Sequence, residues 1–233
     1  MSTSKVGIIG CGWLGKPLAN ELSKSYKVQC YSRTETKDKS DFYNNDLIII
    51  AINTKDNYLQ TLTKISKLTK PSTQIILMSS TSVYREFDEE LDETAKITLE
   101  AKQIEAERLL QSLRDKVLIL RLGGLMGEDR ISGKWKSIST FSDGPVNYIH
   151  KDDVINIVKF LIEKNVQEGL VNCVAPEHPL RSQVHAKNAK AFDLQLGIFE
   201  GLTHRVVQSK ELKKLGYKFL HPNPLDFWEK RSS

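Results

Sequence analysis

The sequence predicts an α/β fold, a doubly wound and mostly parallel sheet with a small C-terminal α+β extension on the substrate side. Three observations predict it. Runs of nearly uninterrupted apolar residues recur at 6–9, 47–52, 74–78 and 117–122, as expected of strands covered on both faces. Stretches of helical periodicity alternate with them. A glycine-rich turn joins the first strand directly to the first helix.

Taken in order, residues 6–9 form a strand that stops at Gly10, and Leu14, Leu18 and Leu22 then recur every fourth position through a helix at 13–22. Residues 27–31 read as the second strand and 47–52 as the next, followed by a helix at 57–68. The link 33–46 is short for a crossover, which normally needs a dozen or more residues including its helix. A stub of strand at 41–43 is expected in place of the usual third strand. Strand 74–78, helix 99–113 and strand 117–122 continue the alternation. Beyond Gly127 a loop rich in Gly and Ser leads to a helix at 153–163 capped by Asp152, a strand at 170–174 and a helix at 181–192. Residues 1–127 are therefore expected to form the nucleotide-binding core, and 128–233 to complete the sheet and add a small region that is not an independent domain.

A chain of 233 residues, 39% hydrophobic and 27% charged, can bury a sizeable core. Its net charge of +5 is dispersed, and Lys210, Lys213 and Lys214 are interrupted by Glu211 and Leu212. That pattern suits solvated helix faces and speaks against a nucleic-acid partner. No apolar run is long enough to span a bilayer, and Trp13, Lys16 and Pro17 spoil a signal-peptide reading of the start. Cys11, Cys30 and Cys173 lack metal-ligand spacing, as do the scattered histidines, so no metal site is expected. Two of the cysteines fall inside the expected strand-helix-strand unit, where a disulfide would have no loop to staple, so unpaired thiols and a reducing cytoplasm are expected. The expected state is a soluble monomer or homodimer with a small-molecule substrate.

Gly10, Cys11, Gly12, Trp13, Leu14 and Gly15 have the GxGxxG spacing after a strand and before a helix. An anionic pyrophosphate needs backbone N–H donors at close range, and a helix N-terminus supplies them with a favourable dipole. Gly10 allows the tight turn, Gly12 removes a Cβ that would meet the phosphates, and Gly15 lets helix and strand pack closely. This is the Rossmann arrangement for a dinucleotide. An Asp or Glu roughly twenty residues after the loop would hold the ribose 2′-hydroxyl of NAD. Ser32, Arg33 and Thr34 stand there instead, a guanidinium and two hydroxyls suited to a 2′-phosphate, which favours NADP over NAD. Ala51, Ile52 and Asn53, closing the strand at 47–52, complete the candidate cofactor contacts.

Four further segments carry a family resemblance. Ser79, Ser80, Thr81, Ser82, Val83 and Tyr84 look like an SSxxVYG strand end, and the stretch from Arg121 through Gly124 to Gly127 like an RxxNxYG segment. Asn147 to Val154, with Asp152 and Asp153, is similar to an hVdDv helix start. Arg205 to Tyr217, followed by Pro222 and Pro224, resembles an "lGw+P" ending. Together they resemble the extended short-chain dehydrogenase/reductase family, the nucleotide-sugar epimerase and dehydratase group, in an atypical and shortened form.

The resemblance implies chemistry by Ser or Thr, Tyr and Lys, the last two spaced YxxxK on one helix, where the ammonium lowers the phenol pKa. Ser80 matches the Ser/Thr position and Lys102 the Lys, which makes these two the candidate catalytic residues. The tyrosine is missing: Thr98 stands four residues before Lys102, and Leu99 four before Gln103. Counting Leu99, Ala106, Leu109, Leu110 and Leu113 as the apolar stripe places Lys102 within it and Gln103 at its edge, so Lys102 is expected to point inward. Thr81 and Ser82 replace the dehydratases' acidic residues, Gly124 the frequent Asn and Met126 the frequent Tyr. Tyr84 reads as a packing residue and His150 as a helix-start residue. The resemblance therefore leaves two functions open: an NADP-dependent oxidoreductase or epimerase-like enzyme, or a non-enzymatic NADP(H)-binding sensor.

Overall fold

A computed structural model of the chain describes residues 4–32, 40–55, 57–84, 90–97, 100–134 and 140–228. Its elements are β1 (Lys5–Ile9), α1 (Gly15–Leu22), β2 (Lys27–Tyr31), β3 (Leu47–Ile50), α2 (Tyr58–Leu68), β4 (Gln74–Ser80), β5 (Glu90–Leu91), α3 (Lys102–Leu113), β6 (Val117–Leu122), β7 (Gly124–Met126), β8 (Thr140–Asp143), β9 (Tyr148–His150), α4 (Lys151–Glu163), β10 (Gly169–Cys173), α5 (Arg181–Phe192), β11 (Ile198–Leu202), β12 (Val206–Val207) and α6 (Lys210–Leu215). Six strands form one sheet in the order β10-β6-β4-β3-β1-β2. Parallel pairing sets Val6 beside Val28 and Leu47, and Ile48 beside Ile75. The α/β doubly wound fold class is therefore as expected.

Two compact units divide the chain: residues 1–83, 98–121 and 157–171 in the first, and 84–97, 122–156 and 172–233 in the second. In the first, Ile48 and Ile50 of β3, Ile75 and Leu77 of β4 and Ile119 of β6 are sealed by Leu62 and Ile65 of α2 and by Ala106 and Leu110 of α3. Every residue of β3 and of β6 is buried, which is why both read as unbroken apolar runs. Arg114, closing α3, donates to the Ser66, Thr69, Lys70, Pro71 and Thr73 carbonyls and so satisfies the C-terminal end of α2.

Arg121 is the charged exception in β6, only 5% exposed. Its guanidinium donates to both carboxylate oxygens of Glu107 on α3, at 3.1 and 2.6 Å, and Ser79 Oγ donates to the same carboxylate at 2.5 Å. A buried charge needs this degree of pairing to be tolerated.

The second unit holds three short parallel pairs, β5 with β12, β7 with β9 and β8 with β11, none of which the sequence suggested. Side chains that imitate backbone hold it together. Asn147 donates to the Arg205 carbonyl and accepts the Val207 N–H, continuing a ladder sideways. Asp153, wholly buried, accepts the Leu220 and His221 N–H groups and the Tyr217 hydroxyl. The His185 ring meets the stacked Phe141 and Phe199 rings edge-on, at centroid distances of 5.4 and 5.3 Å.

Three local expectations are corrected. Residues 40–44 form a 3-10 helix (Ser40–Asn44) instead of a strand stub, packing Phe42 against Tyr31 at the sheet edge. The strand expected at 47–52 ends at Ile50. Helix α4 begins at Lys151, and its cap is His150, whose Nδ1 accepts the Asp152 N–H at 3.2 Å, not Asp152.

Two outcomes follow from these contacts. Arg121→Ala leaves Glu107 buried without its cation and should cost about 3–5 kcal/mol, read as a lowered urea midpoint. Burial, reinforced by the Arg181 charge, pushes His185 from 6.5 down to about 4. The unfolded chain then binds the extra proton in that window, so stability is complete above the unfolded value and declines as pH falls from about 6.5 to about 4, by up to about 1.4 kcal/mol per pH unit. Thermal midpoints measured across this range should fall less steeply in His185→Gln.

Candidate dinucleotide-binding site

The first unit assembles the glycine loop from a strand end and a helix start. Gly10 follows β1 with φ of 106°, in the region that favours glycine. Its N–H and that of Cys11 both donate to the Tyr31 carbonyl at the end of β2, at 2.9 and 3.3 Å. Across the loop, Ala51 N–H donates to the Ile9 carbonyl, which brings 51–53 alongside. Among the expected contacts, Leu14 is buried, Ala51 and Ile52 are half-buried, and Asn53 is exposed.

Each glycine meets a different neighbour. A Cβ on Gly10 would lie 2.3 Å from the Ala51 oxygen, and one on Gly15 would lie 2.0 Å from the Gly10 oxygen. Strand, turn and helix can approach only because both side chains are absent. A Cβ on Gly12 would meet nothing within 4 Å. No described protein atom therefore demands a glycine there, whereas a phosphate group approaching the backbone does. Helix α1 starts at Gly15 behind Leu14, with no side-chain cap, which leaves its positive end suited to an anion. The residues present fit a dinucleotide pyrophosphate.

Of the residues expected to hold a 2′-phosphate, Ser32 follows β2 and is half-buried. Arg33 and Thr34, named for the same role, lie outside the described residues, as do Thr98 and Leu99 at the position of the absent tyrosine.

Cys11 and Cys30 are joined as a disulfide, with Cα atoms 5.5 Å apart. This corrects the expectation of unpaired thiols. That expectation required a loop to staple, but the βαβ unit is itself the loop: parallel pairing sets Ile8 beside Cys30, and the turn after β1 carries Cys11 over the end of β2. The compartment inferred from free thiols loses that premise.

Ser80 ends β4 half-buried, and its Oγ accepts the Ser82 N–H at 3.1 Å, leaving its own proton available. Lys102 begins α3 but is exposed, not turned inward. The buried residues of α3 are Ile104, Ala106, Glu107 and Leu110, and half-buried Gln103 falls at the centre of that face. Counting the charged Glu107 as solvated had moved the stripe toward Lys102.

In the second unit, Tyr84 is 2% exposed and its hydroxyl lies 2.9 Å from Asn172 Oδ1 and 3.1 Å from the Asp92 carbonyl, a packing role. Gly124 faces the Tyr148 ring, 2.6 Å from where a Cβ would stand. The Tyr148 hydroxyl lies 3.0 Å from Ser132 Oγ. Sequence reasoning passed over Tyr148, since only the β7–β9 pairing puts it across from Gly124. His221, read as one of the scattered histidines, is gathered beside His150: the two rings lie 3.8 Å apart between centroids, with Asp152 Oδ2 at 3.6 Å from His150 and 3.8 Å from His221. Burial, with the His221 charge, lowers the His150 pKa. Since His150 Nδ1 is already engaged by the Asp152 N–H, the cluster reads as a helix cap.

No family model matches the sequence. The chain is 27% identical to Protein YeeZ of Escherichia coli (strain K12), over 95% of this chain and 97% of that protein. A protein from Methylobacillus flagellatus assigned as an NAD-dependent epimerase/dehydratase superposes with a TM-score of 0.79, covering 97% of each chain at 20% identity. The fold is that of the NAD-dependent epimerase/dehydratase proteins. Human epimerase family protein SDR39U1, solved with NADPH, shares it at a TM-score of 0.77 and 14% identity, over 97% of this chain and 98% of its own. Among the described residues no helix is long and apolar enough to cross a membrane.

The glycines should separate under substitution. Gly12→Ala should fold normally yet weaken dinucleotide binding by at least about tenfold, or ~1.4 kcal/mol. Gly15→Ala, with its Cβ driven into the Gly10 carbonyl, should lose the folded state itself. Circular dichroism melts beside calorimetric titrations read the two effects apart.

Proposed function

We propose that the chain binds NADP(H), with NAD as the weaker alternative, and acts as an oxidoreductase or epimerase-like member of the extended short-chain dehydrogenase/reductase group on a carbonyl or nucleotide-sugar substrate. The observation that carries this reading is Gly12, a glycine that no described protein neighbour requires, set between two that the backbone does require. The NADPH-bound human relative and the Methylobacillus protein add weight to it. Ser32 in place of a carboxylate supports the 2′-phosphorylated form.

Bound in this cradle, a nicotinamide dinucleotide supplies hydride transfer. The chain's own groups then bind and orient. Ser80 donates its hydroxyl proton in a hydrogen bond to a substrate carbonyl oxygen, the Ser82 N–H holding its Oγ from behind. Lys102, exposed at the start of α3, is assigned to the nicotinamide ribose. With no phenol at the YxxxK position, the general acid is a group other than the family's tyrosine. That absence favours a second reading, a cofactor-binding sensor without turnover, because Tyr84 is committed to packing.

Fluorescence titration should give tighter binding of NADPH than of NADH, and the reverse order overturns the cofactor assignment. Turnover against a panel of carbonyl compounds and nucleotide sugars should fall by about a hundredfold in Ser80→Ala. Binding without turnover, unaltered by Ser80→Ala or Lys102→Ala, assigns the sensor role instead.

A further inference from the structure

We propose that Cys11 and Cys30 are a reversible thiol-modification site that sets the affinity of the glycine loop, the disulfide form taking up a dinucleotide more tightly than the dithiol. The inference rests on reading the loop as a dinucleotide cradle. Cys11 stands between Gly10 and Gly12, and Cys30 stands two residues before Ser32. Their bond therefore ties the part of the site assigned to the pyrophosphate to the part assigned to the ribose phosphate.

Both cysteines are half-exposed, and Cys11 adjoins the exposed Gly12, so a small thiol or disulfide can reach them. Cys173 contrasts with them: it is fully buried, and burial raises its thiol pKa well above the usual range, which makes it inert. The direction of the effect follows from the flanking glycines. With the bridge open, Cys11 is held at β2 by an N–H···O contact of 3.3 Å to Tyr31, between two residues that confer backbone freedom. Ordering such a loop around a ligand opposes binding, and a covalent tie removes part of that cost beforehand.

The chemistry is thiol–disulfide exchange with a low-molecular-weight disulfide such as oxidised glutathione. One cysteine thiolate attacks a sulfur of the small disulfide, expelling one small thiolate and forming a mixed disulfide. The second cysteine thiolate then attacks the protein sulfur of that intermediate, closing the Cys11–Cys30 bond and expelling the other small thiolate. Two electrons pass from the cysteine pair to the small disulfide, and the two cysteine protons end on the two small thiols. Coupling between two sites is reciprocal, so a bound dinucleotide must also make the bridge harder to reduce.

The test uses the full-length chain, oxidised with glutathione disulfide or reduced with dithiothreitol, and titrated calorimetrically with NADP. The disulfide form should bind about tenfold more tightly. In glutathione redox buffers, saturating NADP should shift the midpoint of the pair by about 30 mV to more negative potential, the same tenfold factor for a two-electron couple. Cys30→Ser, which leaves the loop sequence intact, should show the dithiol affinity with or without reductant. Equal affinities in the two states, tighter binding by the dithiol, or a midpoint indifferent to NADP each overturn the inference while leaving the dinucleotide reading intact. Failure of both forms to bind any dinucleotide overturns that reading and this inference together.

Discussion

The contact on which the first unit depends is that between the Gly10 carbonyl and Gly15, where no Cβ can be accommodated. It fixes the angle at which α1 leaves β1, and so the face on which Leu18 and Leu22 are buried. It also holds the uncapped start of the helix beside Gly12, whose surroundings are open. Within that turn the glycines differ: Gly10 and Gly15 serve the fold, and Gly12, which packing leaves free, is the one the proposed function assigns to a bound anion. The Tyr31 carbonyl, accepting two amides from the loop, extends the constraint to β2 and to the residues that follow it.

Much of this was legible before any coordinates. Strands buried on both faces announce themselves by composition, and β2 and β6 and helix α5 lie where the sequence put them. The packing roles of Gly10 and Gly15 were readable because the spacing and the strand-to-helix context demand a tight turn and a close helix-strand approach there. Helix α3 was less transparent, for a physical reason. Its buried face includes Glu107, whose charge is neutralised by Arg121 fourteen residues further on. Periodicity that counts apolar residues alone cannot see such a partner, and it turned the helix so that Lys102 was placed inside and Gln103 at the rim.

The second unit was the least legible. Its strands are two to five residues long, too short for alternation to register. What specifies them is polar: Asn147 standing in for a neighbouring strand, and Asp153 collecting two amides and a phenol from residues 217–221. Polar side chains that satisfy distant backbone carry no periodic signature. The same blindness hid the Cys11–Cys30 pairing, since adjacency of parallel strands is a property of topology and not of spacing.

The grip of Asp153 on residues 217–221 also bears on how the chain acquires its structure as it is made. Every segment of the first unit has been synthesised once residue 171 has appeared, whereas the buried carboxylate of Asp153 must wait 67 and 68 residues for its amide donors. Such distant closures are slow relative to local ones. Vectorial synthesis thus lets a nascent polypeptide present a finished glycine turn while an aspartate elsewhere still relies on water.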